Sequence, residues 1–200
     1  MPLLQATSWY VVSLMMDRLP WYAVFDLVEK VCPGEMKFAP LQDDINECCE
    51  EYGIAWKLVD GLVQERGDEI HERLIQDATS ALTTTGRPTA AAELRKAIAA
   101  LSERPDPDTR GAVSRAVGAV EALARDISGY RNATLGQLAG KLGLPSPLPE
   151  AIAKVWGYAS DRARHVREGQ TIELDQAYLV VNLCATLASH LCGLDLRLKN

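Results

Sequence analysis

Apolar and polar residues follow one another along this chain mainly with the 3.6-residue period of amphipathic helices. Residues 7–19 keep that spacing until Pro20 stops them. Trp21, Val24, Leu27, Val28 and Val31 then share one face of a second helix, which Pro33-Gly34 ends. Residues 41–52 predict an acidic helix with Ile45 and Cys48/Cys49 turned inward and Gly53 as its C-cap. The period then changes. Residues 54–59 and 62–66 flank Asp60-Gly61, and Asp-Gly between two β-prone runs predicts a hairpin, because both turn residues need positive φ.

From residue 68 onward the pattern is helix after helix. The first spans about 68–82. Pro88 opens the next, an alanine-rich helix over 89–102. Arg104-Pro105-Asp106-Pro107-Asp108 is a rigid break in which Asp106 is placed to cap and Pro107 to occupy a first turn. Ala112, Val113, Ala116, Val117, Val120, Leu123, Ala124 and Ile127 form the stripe of the following helix. Gly111 and Gly118 thin it for a close neighbour, and Ser128-Gly129 ends it. Thr134 and Gln137 fit a capping box for a short helix to about Leu142. Pro145-Ser146-Pro147 breaks the chain before a helix over 148–158. A polar, arginine-rich stretch covers 159–169. Residues 174–194 are apolar nearly all round, which predicts a helix central in the core or shared with a second copy. The fold class expected is mainly α: a helical bundle over 87–200, with accessory helices and one small β-hairpin over 1–86.

Composition narrows the function classes. The 200 residues are 48% hydrophobic and 24% charged, as in an ordinary globular protein. The net charge of -6 argues against a strongly basic nucleic-acid binder. Residues 1–81 hold 6 basic against 15 acidic side chains and residues 82–200 hold 15 against 12, so a polyanion would prefer the second part. Residues 179–194, the most apolar run, are interrupted by Asn182, Thr186, Ser189 and His190, short of the roughly 18 apolar residues a membrane span needs. Met1-Pro2-Leu3-Leu4 lacks a basic n-region and predicts no signal peptide. Cys32, Cys48, Cys49, Cys184 and Cys192 are odd in number and form no Cys-x-x-Cys. They predict free thiols, a reducing cytoplasm and no zinc or other metal site.

Candidate chemistry is sparse. No Walker loop, Rossmann glycine pattern, G-x-S-x-G or HExxH occurs. No cofactor is expected. His71, beside Glu69 and Glu72, reads as a solvated surface histidine, and His190 as a hydrogen-bonded histidine of the core or an interface. His165 differs, because Arg162, Arg164 and Arg167 surround it. Guanidinium forks fit phosphate oxygens and imidazole exchanges protons near neutrality, a combination suited to a phosphodiester. An exposed helix end laced with arginine–glutamate pairs gives the same pattern. Glu121, alone in an apolar stripe, is placed to orient an arginine or to form a structural ion pair.

Several ordered runs carry a resemblance. They are Arg104-Pro105-Asp106-Pro107-Asp108, Gly111-Ala112-Val113 through Asp126-Ile127, Asn132-Ala133-Thr134-Leu135-Gly136, and Ala153-Lys154-Val155-Trp156-Gly157-Tyr158-Ala159-Ser160-Asp161 followed by Arg164-His165. Over residues 89–192 their order and spacing resemble bacterial abortive-infection proteins of the AbiJ N-terminal and Abi-C type, within the HEPN-like helical superfamily. The segment from Ile45-Asn46 to Val59-Asp60-Gly61 resembles their N-terminal part. The resemblance implies a homodimeric HEPN-like bundle acting in antiphage defence. It also implies a metal-independent endoribonuclease in which an arginine and a histidine, with four to six residues between them, meet their partners across the dimer. Here Tyr158, Ala159 and Ser160 occupy the positions where that arginine would stand before His165, and Arg164 adjoins it instead. The expected catalytic set is Arg164, His165 and Glu121, with Arg162, Arg167, Tyr158, Asp161 and Lys154 binding an RNA or nucleotide phosphate. The alternative expectation is a non-catalytic sensor or adaptor on the same fold, binding nucleic acid, a nucleotide or a defence-system partner protein, with no membrane involved.

Overall fold

A computed structural model describes residues 13–34, 39–67, 69–164 and 171–199. Among them the chain is mainly helical with one small two-stranded antiparallel sheet, as the pattern predicts. It forms two compact units, Met1–Arg66 and Gly67–Asn200. The division therefore falls ahead of the one expected at 86/87. The reason is the helix over 69–84: its face of His71, Ile75, Ala78 and Leu82 packs into the core of the second unit.

In the first unit, residues 13–16 are helical, and 7–12 of the helix expected there lie outside the described residues. Helix α1 is Trp21–Val31 and α2 is Ala39–Glu51. Strands β1 (Trp56–Val59) and β2 (Leu62–Glu65) pair with Val59 opposite Leu62, which leaves Asp60-Gly61 as a two-residue turn. Asp60 has φ 50 and Gly61 φ 79, the positive pair that this hairpin turn requires. A hairpin is marginal alone. Here Cys32, Leu58 and Val63 form a small core with Phe25, Val28, Ile45 and Trp56 packed against it. The strands' free edges are also occupied. Asn46 on α2 accepts from Leu58 N at 2.7 Å and donates to Leu58 O at 2.8 Å, while Glu29 on α1 accepts from Val63 N at 2.8 Å.

The second unit begins with α3 (Glu69–Thr84), α4 (Pro88–Leu101) and α5 (Thr109–Ser128). The short α6 (Leu135–Leu138) runs into a 3₁₀ turn, Ala139–Lys141. Helix α7 (Leu148–Ala159) and a π-helical turn, Ser160–Arg164, precede α8 (Leu174–Lys199). Helix α5 packs between α4 and α8, and α3 lies against both α4 and α8. The alanine-rich faces of α4 and α5 allow close approach; Ala91, Ala97, Ala112, Ala116 and Ala124 are completely buried. Two local expectations are corrected. The N-cap of α5 is Asp108, not Asp106, and its carboxylate accepts from Gly111 N at 2.7 Å. A Cβ at Gly111 would collide with that cap, whereas one at Gly118 would meet open space, so neither glycine serves a neighbouring helix.

The predicted capping box forms as read: Thr134 N donates to Gln137 Oε1 at 2.9 Å and Gln137 N to the Thr134 hydroxyl at 3.4 Å. Helix α8 buries one face against α3 and α5 and leaves another exposed. Ala177, Val181, Cys184, Ala185, Ala188, Leu191 and Cys192 are buried, while Leu179 (60%) and Leu183 (44%) stay exposed. Residues Leu174–Leu196 are long and apolar enough to cross a membrane by length and composition, although single polar residues interrupt the run; 44% of that window is buried inside the protein.

Candidate functional site

Helix α7 does not end cleanly. Its last residues widen into the π turn, and Ala163 is drawn into the core. Such turns concentrate at functional sites. The Tyr158 hydroxyl donates to Gln176 Oε1 at 2.9 Å and ties the end of α7 to the start of α8. The Arg162 guanidinium lies 5.8 Å from the Tyr158 ring centroid, within cation–π range. Asp161 and Lys154 are exposed. Of the sequence-predicted set, Tyr158 and Arg162 are thus brought together. The Arg164 side chain, His165 and Arg167 lie outside the described residues.

Glu121 sits elsewhere, at 4% exposure in the core face of α5. One carboxylate oxygen accepts from Arg125 Nη2 at 2.5 Å. The other accepts from Leu135 N and from Trp156 Nε1, both at 3.0 Å. Arg125 in turn donates from Nε to Ala133 O at 2.7 Å. Glu121 does orient an arginine, but that arginine is Arg125. The same carboxylate holds the first amide of α6 and the indole of α7, joining three helices around one buried charge.

Of the two other histidines, His71 is not where it was expected. His71 is 6% exposed, not solvated: its Nδ1 lies 2.6 Å from Asn182 Oδ1 and its ring meets Tyr178 edge-on at 5.2 Å. It shares the stripe of Ile75, Ala78 and Leu82, a spacing of i, i+4, i+7, i+11 that the flanking glutamates mask in the sequence. His190 is exposed on α8 and makes no hydrogen bond to a described residue.

His190 stands at the rim of a cleft of about 340 Å³ between α7 and α8. Leu148, Ala151, Ile152 and Val155 form the α7 wall at the i, i+3, i+4, i+7 spacing of one helix face. Leu183, Thr186, Leu187 and His190 form the opposite wall with the same spacing. Val117, Leu135 and Cys184 lie beneath, at 1–3% exposure. Size and apolar character match those of ligand sites. The sequence reading missed this cleft. The two amphipathic faces were visible, but an apolar face that meets a partner helix and one that stands off from it have the same pattern.

All five cysteines are free. Burial pushes the Cys184 thiol from its ordinary 9.0 up to about 12, so the group is neutral and inert in the cleft floor. At pH 8, iodoacetamide is expected to alkylate exposed Cys48 and to leave Cys184 intact until urea unfolds the chain, as read by peptide mass spectrometry. A second polar notch, lined by Gly86, Arg87, Thr89 and Asp126 among others, is closed by ion pairs: Arg87 Nε to Asp126 at 2.9 Å and Nη2 to Asp195 at 2.6 Å. Burial pulls the Arg87 pKa down, but the hydrogen bonds to Asp195 and Asp126 outweigh it and raise the pKa. Among the described residues no group of three His, Cys, Asp or Glu side chains is arranged to hold a metal ion. Compared with known proteins, the chain matches no family model, no curated protein and no solved structure.

Proposed function

We propose that this protein is a non-catalytic sensor or adaptor of the HEPN-like antiphage type, working in the cytoplasm and recognising a ligand or partner through the cleft between α7 and α8. The cleft itself carries the reading: an apolar slot of ligand size, open to solvent, beside the exposed α8 residues Leu179, Leu183, Thr186 and His190. The engagement of Glu121 supports it, since this carboxylate is 4% exposed and holds Arg125, Leu135 and Trp156 inside the core rather than facing solvent. The missing arginine spacing before His165 supports it further. Purified protein incubated with total RNA and EDTA is expected to leave the RNA intact on a denaturing gel. Cleavage that disappears in His165→Ala would overturn this reading.

One observation favours a second reading, the homodimeric metal-independent ribonuclease. The π turn with Arg162 against Tyr158 leads directly toward Arg164-His165. In that reading a second copy completes the site, His165 exchanges the proton, and Arg162, Arg164 and Arg167 hold an RNA phosphate.

A further inference from the structure

Resting on the non-catalytic reading, we infer that the cleft between α7 and α8 binds a small amphiphile: one aliphatic chain lying in the slot and a single carboxylate head at His190. The walls dictate the chain. Among the described residues no Asp, Glu, Lys or Arg lines the cleft, so an ionic body placed there would lose its hydration without a partner. Leu148 and Leu183 are 49% and 44% exposed, so the walls present apolar surface that an aliphatic chain would cover.

The size dictates a small occupant. The cleft holds about 340 Å³, and Val117, Leu135 and Cys184 in its lining are only 1–3% exposed. A volume at the small end of ligand sites takes one short aliphatic chain.

The rim dictates the head. His190 and Thr186 are the polar lining residues besides the thiol, and the Thr186 hydroxyl already donates to Asn182 O at 2.9 Å. Among the described residues the His190 imidazole has no hydrogen-bond partner, and it is exposed. A ring N–H there donates to a carboxylate at the solvent boundary, where the anion keeps most of its water. Cys184 stays protonated beneath the chain, so binding is non-covalent.

Decanoate and decanol, below their aggregation limits, are the probes for calorimetric titration into the full chain. Decanoate is expected to bind one per chain, with saturation. Ala151→Trp, at an exposed rim position, is expected to weaken it at least roughly tenfold by filling the slot. His190→Gln is expected to weaken decanoate several-fold and leave decanol within about twofold. Circular dichroism checks that both variants keep the wild-type fold. Absence of saturable decanoate binding, or binding by folded Ala151→Trp as tight as wild type, would overturn the inference. Equal losses for decanoate and decanol in His190→Gln would overturn its assignment of the head. Either result leaves the non-catalytic reading standing. His165-dependent RNA cleavage would remove that reading and leave the titration result unchanged.

Discussion

Glu121→Ala is expected to lower the stability of the second unit by about 3–5 kcal/mol, the range for breaking a buried charged network by removing one partner. The substitution leaves the Leu135 amide and the Trp156 indole N–H without their acceptor inside the core, at about 1–3 kcal/mol each. It also releases Arg125, whose side chain is 35% exposed and recovers water more readily. Glu121→Gln keeps an acceptor for one donor but turns an NH₂ toward another, and an intermediate loss of about 2 kcal/mol is expected. Urea unfolding followed by circular dichroism measures both. A catalytic Glu121 would give the opposite result, a fully stable Gln variant; equal midpoints for Glu121→Gln and wild type would refute the structural role.

Arg87→Met is expected to cost a similar amount, about 3–5 kcal/mol. Arg87 begins α4 and reaches both Asp126 on α5 and Asp195 on α8, so it ties three helices together. Its removal takes from Asp195, whose side chain is 10% exposed, the guanidinium that balances its buried charge. Asp126, 63% exposed, keeps its water, so Asp126→Asn is expected to cost under about 1 kcal/mol. Adding Asp195→Leu to Arg87→Met is expected to restore most of the stability, because the buried carboxylate is then removed together with the guanidinium that balanced it. Thermal and urea unfolding of wild type, Arg87→Met, Asp195→Leu and the double variant form a double-mutant cycle. A double variant no more stable than Arg87→Met would show that packing of the arginine stem, not the buried charge, sets the cost.

Much of the local structure was legible in the residues. Asp60-Gly61 predicted the hairpin because few residue pairs accept two positive φ values. Thr134 and Gln137 predicted a helix start, and Gly129, at φ 76, a helix end, because a cap is satisfied within one turn of chain. Asp106 and Asp108 compete for one cap in the same motif, and only the path of the 102–108 loop selects Asp108. The candidate chemistry was less legible. Tyr158 and Arg162 meet because they are one helical turn apart. Glu121 looked available because its partners Leu135 and Trp156 are 14 and 35 residues away.

Short-range chemistry therefore settles where this chain turns, caps and coils, since those choices depend on φ, ψ and hydrogen bonds made within a few residues. Which helix faces close on one another depends on contacts between distant segments, and periodicity alone does not encode that. The burial of His71, the exposure of His190 and the gap between α7 and α8 all arise at that level: each helix face is equally apolar whether it meets a neighbour or faces a cleft.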